Sequence, residues 1–186
     1  MDIIEIIKTR RSIRKIRSDP VEEDKLLTIL EAARWAPSWA NTQCWELIIV
    51  KSAEIKEKLA EILIPGNPAA EAVRKAPIVI VACAKLGVSG FLHGKQVTDK
   101  GDWFMFDVAL ALQNLVLVAW SLGLGTVYVG AFDAKKAAEI LEVPSGVSVV
   151  ALVPLGYPME VPKEPHRRKE LKDFVYIEKY GNKMTA

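Results

Sequence analysis

The chain has 186 residues, 51% of them apolar and 26% charged. That is a globular composition, long enough to bury one stable core without disulfides and too apolar for a disordered chain. A net charge of +2, from 25 basic and 23 acidic residues, gives no reason to expect a polyelectrolyte partner.

Asp2 is placed to cap a first helix carrying Ile3, Ile4, Ile6 and Ile7. Its acids fall inside the apolar part and no cleavage site follows, so it does not read as a signal peptide. A second helix opens near residues 20–23, carries Leu26, Leu27, Leu30, Ala33 and Arg34 at helical spacing, and stops at Pro37. Residues 45–50 read as a strand and 53–63 as an amphipathic helix. A Pro-Gly-Asn-Pro loop and a short helix before Pro77 follow. The β-branched and small run 78–84 predicts a buried strand. Residues 87–100 are polar and glycine-rich, too long for a turn, and are expected to form a lid loop. The apolar stretch 103–122 approaches membrane-spanning length. Asp107, Gln113 and Asn114 interrupt it, so it is expected to be a buried core helix. A strand over 126–131, a helix over 134–141 and a strand over 148–155 complete the pattern. A proline-spaced segment and a short helix or strand within 170–180 end it.

Four segments can carry chemistry. The run from Lys8 to Arg17 holds six basic residues and no acid; the rest of the chain has 19 basic residues against 23 acidic ones. Arg10, Arg11 and Ser12 offer forked donors and a hydroxyl to a phosphate, or else the run is a solvated helix end favoured by the dipole. No aromatic residues interleave with it, which argues against stacked nucleic-acid bases. The segment APSWANTQCW (36–45) offers Ser38, Asn41 and Gln43 for hydrogen bonding and Trp39 and Trp45 as flat apolar surface, a mixture suited to a heteroaromatic ring. The segment GLGTVYVG (123–130) lacks the third glycine of a dinucleotide fingerprint and follows a helix rather than a strand, against a Rossmann reading. Last is the cluster His166, Arg167, Arg168 and Lys169. Two cysteines (Cys44, Cys83) and two histidines (His93, His166) do not make a zinc motif; no metal is expected, and free thiols suit a cytoplasmic protein. No nucleophile motif is present, so a reactive atom would belong to a cofactor.

RRSIRK, APSWANTQCW, ALQNLVLVAWSLGLGT and LGYP, in that order and followed by the late arginines, together resemble the FMN-dependent nitroreductase family, in its compact branch. The resemblance covers essentially the whole chain. It implies an α+β fold with a central, mostly antiparallel sheet flanked by helices, in an intertwined homodimer. Residues 1–186 would be one FMN-binding domain whose segment from about 157 to 186 reaches over the partner. Carried over by position, Arg10, Arg11 and Ser12 would hold the phosphate, joined by Arg167 or Arg168, and Arg14 would approach N1 and O2 of the flavin. Ser38 and Asn41 would contact it from the other subunit, with Pro37 and Gln43 alongside. Tyr128, Val129 and Gly130 would line the ring, a backbone N–H facing N5. Arg14 and Gly130 would tune the flavin, and no side chain would serve as catalytic acid or base.

The implied activity is ping-pong reduction of nitroaromatic, quinone or similar electron-poor acceptors by NADH or NADPH. A flavin-binding role in sensing, storage or flavin breakdown, or a dehalogenase-like reaction, is the alternative. Neither nucleic acid nor membrane is an expected partner. The family loop usually has a small residue where Trp39 stands and proline where Cys44 stands. Trp39 is expected to narrow the substrate pocket, and Cys44 either to be buried and inert or to sense oxidation. Phe91, His93 and Lys95 in the lid are expected near substrate, with 65–70 as a second wall.

Overall fold

The computed structural model describes residues 2–162 and 167–184. In chain order the helices are α1 (Ile3–Thr9), α2 (Glu23–Arg34), α3 (Ala53–Glu61), α4 (Ala70–Lys75), α5 (Phe104–Ser121), α6 (Ala134–Ile140) and α7 (Leu171–Phe174). The strands are β1 (Trp45–Val50), β2 (Ile78–Lys85), β3 (Phe91–Leu92), β4 (Lys95–Gln96), β5 (Gly125–Thr126) and β6 (Val147–Gly156).

β2 organises the molecule because it is buried on both faces. Ile78, Ile80, Ala82 and Ala84 face a core built by α2 and α5. Val79, Val81 and Cys83, pointing the other way, face a core built by α3, α4 and α6. The result is a three-layer α+β fold around an antiparallel sheet of order β1-β2-β6-β5. Each fully buried Ile, Leu or Val contributes about 1.5–3 kcal/mol. A register slip pairs Ala82 with Ala151 but Cys83 with Val149. The extra residue, Val150, is a β-bulge, and it sends Val149 and Ala151 into opposite cores despite their spacing of two.

α5 is long and apolar enough to cross a membrane by length and composition. Its inner side, Val108, Ala111, Leu112, Leu115, Val116 and Ala119, packs in the first core. α1 buries no residue, leaving Ile3, Ile4 and Ile7 about half exposed. Asp2 sits at its N-cap, but its carboxylate makes no cap bond there.

Two expectations are corrected. The strand expected over 126–131 is a ladder only at Gly125–Thr126, with Val129 returning as an isolated bridge to Leu152. Both stretches keep one register, which sets Val127 opposite Pro154. Val129 and Leu152 exchange both backbone bonds, so the next bonding pair along would need an amide hydrogen from Pro154, which proline lacks. The stretch expected as a lid loop contains a hairpin, β3–β4, with Phe91 opposite Gln96 and Leu92 opposite Lys95. His93 and Gly94 both have positive φ, 51° and 74°, as a two-residue type I′ turn requires.

Candidate active site

The basic run is an extended strand-like segment, not a helix end. α1 stops at Thr9, Ile13 N–H donates to Thr126 O at 2.9 Å, and Ser12 bridges Thr126 in parallel. Farther on, Arg17 N–H donates to Tyr157 O at 2.8 Å and Met159 N–H to Lys15 O at 2.9 Å. Ile13 and Ile16 are buried and anchor the segment in the second core. Two glycines make room for them: a Cβ on Gly125 would stand 2.8 Å from Ile13, and one on Gly156 would stand 2.7 Å from Ile16. Gly125 therefore seats the basic segment; its missing side chain serves the protein's own packing. LGYP does likewise through Gly156 and Tyr157.

This anchoring leaves the basic side chains at the surface. Arg11 Nη1 donates to Lys8 O at 2.8 Å and Arg10 O at 2.9 Å, while its Nε is buried with no hydrogen-bond partner among the described residues. Arg14 is exposed. Arg10 acts electrostatically on Tyr128: burial pushes that phenol up to about 12, and the Arg10 charge opposes the rise. The first and third sequence segments thus meet at the β5 edge.

Strand alternation buries Val127 and Val129 and turns Tyr128 outward, where its hydroxyl lies 3.4 Å from Gln113 Oε1 on α5. Val129 has both backbone groups bonded to Leu152, so it positions its neighbours and offers no donor. Gly130 is exposed, and a Cβ there would meet nothing within 4 Å.

The 38–44 loop folds on itself. Ser38 Oγ accepts from Gln43 N–H at 2.9 Å, and Asn41 Oδ1 accepts from Gln43 Nε2 at 3.1 Å, so Gln43 braces both residues expected to bind a ring. Pro37 is exposed just before it. Ala40, Asn41 and Gln43 have φ of 43°, 56° and 46°, the left-handed region that is unfavourable for residues with a Cβ. What holds this shape is Asp107, a fully buried carboxylate on α5. Oδ1 accepts from Trp39 N–H at 3.0 Å; Oδ2 accepts from Thr42 Oγ1 at 3.3 Å and Ser89 Oγ at 2.6 Å, with Cys44 Sγ at 3.6 Å. Sequence reasoning treated Asp107 only as an interruption in an apolar stretch. A lone carboxylate in an otherwise apolar helix was the signal that something must satisfy it. Burial, then the charge of Asp107, raises the Cys44 thiol to about 12, far from a reactive thiolate at neutral pH.

The hairpin is tied down at its base. Gly87 N–H donates to Asp102 Oδ2 at 2.7 Å, Trp103 N–H to Ser89 O at 3.0 Å, and Trp103 Nε1 to Thr98 Oγ1 at 2.8 Å. Phe91 is half-buried, and His93 and Lys95 are exposed at and after the tip. The second segment, at 38–43, and the expected lid residues at 91–95 are therefore linked through Ser89 and Asp107. They are not joined to the Arg10–Tyr128 group within one chain: Asp107 lies on the buried side of α5 and Gln113 on its exposed side.

Arg167 and Arg168 line an open groove of about 310 Å³ with Lys169, Glu170 and Asp173. A smaller one of about 190 Å³ is lined by Ser12, Ile13, Arg14, Lys15, Glu160 and Pro162. The two grooves share no residue. His166 lies outside the described residues. Among the described residues, no three His, Cys, Asp or Glu side chains are grouped as metal ligands.

The family model described as Nitroreductase family matches residues 7–76 and 65–157. A Thermus thermophilus protein named NADH dehydrogenase is 34% identical over 183 residues, covering 85% of this chain and 87% of its own length. FMN reductase [NAD(P)H] of Bacillus subtilis is 31% identical over 170 residues, covering 86% of this chain and 67% of that protein. Among solved structures, a nitroreductase family protein from Clostridium novyi superposes with a TM-score of 0.77 at 36% identity, over 98% of this chain and 97% of that one. An FMN-dependent nitroreductase from Clostridium difficile gives 0.79 at 29% identity, over 95% and 99%. A three-layer fold, a basic segment laced to its sheet edge and matches spanning nearly the whole chain agree: the chain belongs to the nitroreductase family.

Proposed function

We propose that the protein is a cytoplasmic, homodimeric FMN oxidoreductase that uses NADH or NADPH to reduce nitroaromatic, quinone or similar electron-poor acceptors. The observation that carries this is the buried, unpartnered Nε of Arg11 in a run that also presents Arg10, Ser12 and Arg14. A buried N–H without an acceptor is costly, and a phosphate oxygen satisfies it with a charge-assisted bond. The donor set fits FMN: guanidinium groups and a hydroxyl for the phosphate, and an open backbone at Gly130 beside an outward Tyr128 for a flat ring.

When bound, FMN would supply two-electron hydride chemistry between the reduced nicotinamide and the acceptor, in a ping-pong cycle. Arg10, Arg11 and Ser12 anchor the phosphate, with Arg167 or Arg168 completing the grip. Arg14 would place fixed positive charge near the ring and the Gly130 N–H would offer it a hydrogen-bond donor, both tuning the flavin. Pro37, Ser38, Asn41 and Gln43 hold the ring from the second copy. Trp39, Phe91 and His93 bound the acceptor pocket.

Two copies are required in this reading because the halves of the site fall on opposite sides of α5. The uncovered apolar residues support it: Ile3, Ile4 and Ile7 of α1, Met105 and Phe106 of α5, and Leu171 and Phe174 of α7 are all about half exposed. The segment from about 157 to 186, in one domain with the rest, is the arm that reaches the partner. Buried free thiols at Cys44 and Cys83 are consistent with a reducing compartment.

The test is direct. The purified protein should be yellow, release FMN on denaturation, bleach anaerobically with NADH or NADPH and recolour with a nitroaromatic or quinone. Protein that stays colourless after incubation with FMN would overturn the reading. Bleaching that no acceptor reverses would favour a flavin-binding role.

A further inference from the structure

A carboxylate at 0% exposure is tolerated only when its oxygens are filled. Asp107 achieves this with neutral donors alone, drawn from two separate segments of chain. Trp39 N–H, Thr42 Oγ1 and Cys44 Sγ come from the loop before β1; Ser89 Oγ comes from the base of the β3–β4 hairpin. Ser89 is itself fully buried, and its carbonyl accepts from Trp103 N–H, one turn before Asp107 on the same chain. The loop so held contains three left-handed residues other than glycine, a shape that reverts unless its surroundings impose it.

We propose that Asp107 is a positioning residue that fuses the cofactor loop and the acceptor hairpin into one rigid wall. Oδ1 fixes the backbone of the loop through Trp39. Oδ2 is shared between Thr42 and Ser89, so the hairpin cannot shift without disturbing the atom that steadies the loop. The inference deepens the function proposed above and rests on its assignment of these segments to flavin and acceptor; the clamp itself stands on the hydrogen bonds alone.

Thr42→Val, Thr42→Ser, Ser89→Ala and Asp107→Asn are compared in the full-length chain, with and without FMN. Hydrogen exchange followed by mass spectrometry reads the 38–44 and 87–103 peptides against the β2 peptide. FMN titration and steady-state kinetics with a quinone run alongside. Asp107→Asn should accelerate exchange at least tenfold in both wall peptides, leave β2 unchanged, and weaken FMN at least tenfold. Ser89→Ala should raise the acceptor KM about fivefold with kcat held within twofold. Thr42→Val should weaken FMN several-fold, and Thr42→Ser, which keeps the hydroxyl, should restore it. Wall exchange within twofold of the parent in Asp107→Asn overturns the clamp, as does acceleration that extends equally to β2. If Asp107→Asn does not fold, the Thr42 pair and Ser89→Ala decide by the same exchange criterion. If the parent chain takes no FMN, the functional assignment fails while exchange in the flavin-free protein still decides the clamp.

Discussion

Ile13 lies across Gly125 with no room for a methyl group between them: a Cβ at position 125 would stand 2.8 Å from both Cβ and Cγ1 of Ile13. The contact is what lets the Ile13 amide reach Thr126 O and keeps the arginines on either side of Ile13 in place. Gly125→Ala should therefore destabilise the protein by about 1–3 kcal/mol through overpacking. It should also weaken FMN by about tenfold. Combined with Ile13→Ala, which removes Cγ1 and Cγ2, the losses should fall short of the sum of the two single changes in thermal melts and flavin titrations. Additive effects would mean the two residues do not share the strain.

Gly130 is the contrasting case. A side chain there meets nothing within 4 Å, and its φ is not left-handed. Gly130→Ala should leave the melting temperature within about 2 °C of the parent, as expected of a surface change below ~0.5 kcal/mol. Flavin affinity should nonetheless fall, because the methyl group enters the space assigned to the ring. Unchanged FMN binding would remove Gly130 from the site.

Substitution at Arg11 should separate phosphate binding from ring binding. Arg11→Lys keeps the charge and loses the buried Nε–H. A charge-assisted bond of about 1.5–3 kcal/mol corresponds to a roughly 10–100-fold weaker FMN complex. Riboflavin, which lacks the phosphate, should bind both proteins alike. An equal loss for both ligands would place Arg11 elsewhere.

Trp39 is attached to Asp107 by its backbone, so the loop should survive loss of the indole. Trp39→Ala is expected to raise KM several-fold for flat, fused-ring acceptors and to change it little for small non-planar ones. An unchanged ranking of acceptors in steady-state kinetics would show that the indole does not shape the pocket.

Acid should act through surface carboxylates that their partners hold low, Glu22 and Glu31 foremost among Glu22, Glu31, Glu54 and Glu71. The Tyr157 hydroxyl, at 2.6 Å, lowers Glu22 to about 2, and Arg34 and then Trp35 lower Glu31 to about 2, both from 4.5. A lowered native pKa means that the unfolded chain binds more protons between about pH 4.5 and 2. The stabilisation is present above that window and lost as pH falls through it. In urea unfolding at pH 6, 4, 3 and 2.5, Glu22→Gln/Glu31→Gln should show a shallower decline than the parent. Added salt should shrink the difference, since both groups are exposed. Parallel curves would show that neither group is linked to folding.

Much of the architecture was legible in the residue pattern. β2 could be read because a strand buried on both faces needs an unbroken apolar run, and α2, α3 and α6 because one buried face leaves a helical period. The family resemblance rested on short segments whose order survives without any knowledge of their contacts.

What the linear chain could not display was which segments touch. That Gly125 serves Ile13, that Pro154 interrupts the β5 ladder opposite Val127, and that Val150 is an extra residue in β6 all depend on register across strands far apart in sequence. The hairpin at 91–96 carried only a His-Gly turn signal in a polar stretch. Asp107 is the clearest instance. Its residue type announced a buried charge in need of donors, but the donors come from 18 to 68 residues away. Local composition sets which groups are costly to bury; only long-range packing determines who satisfies them.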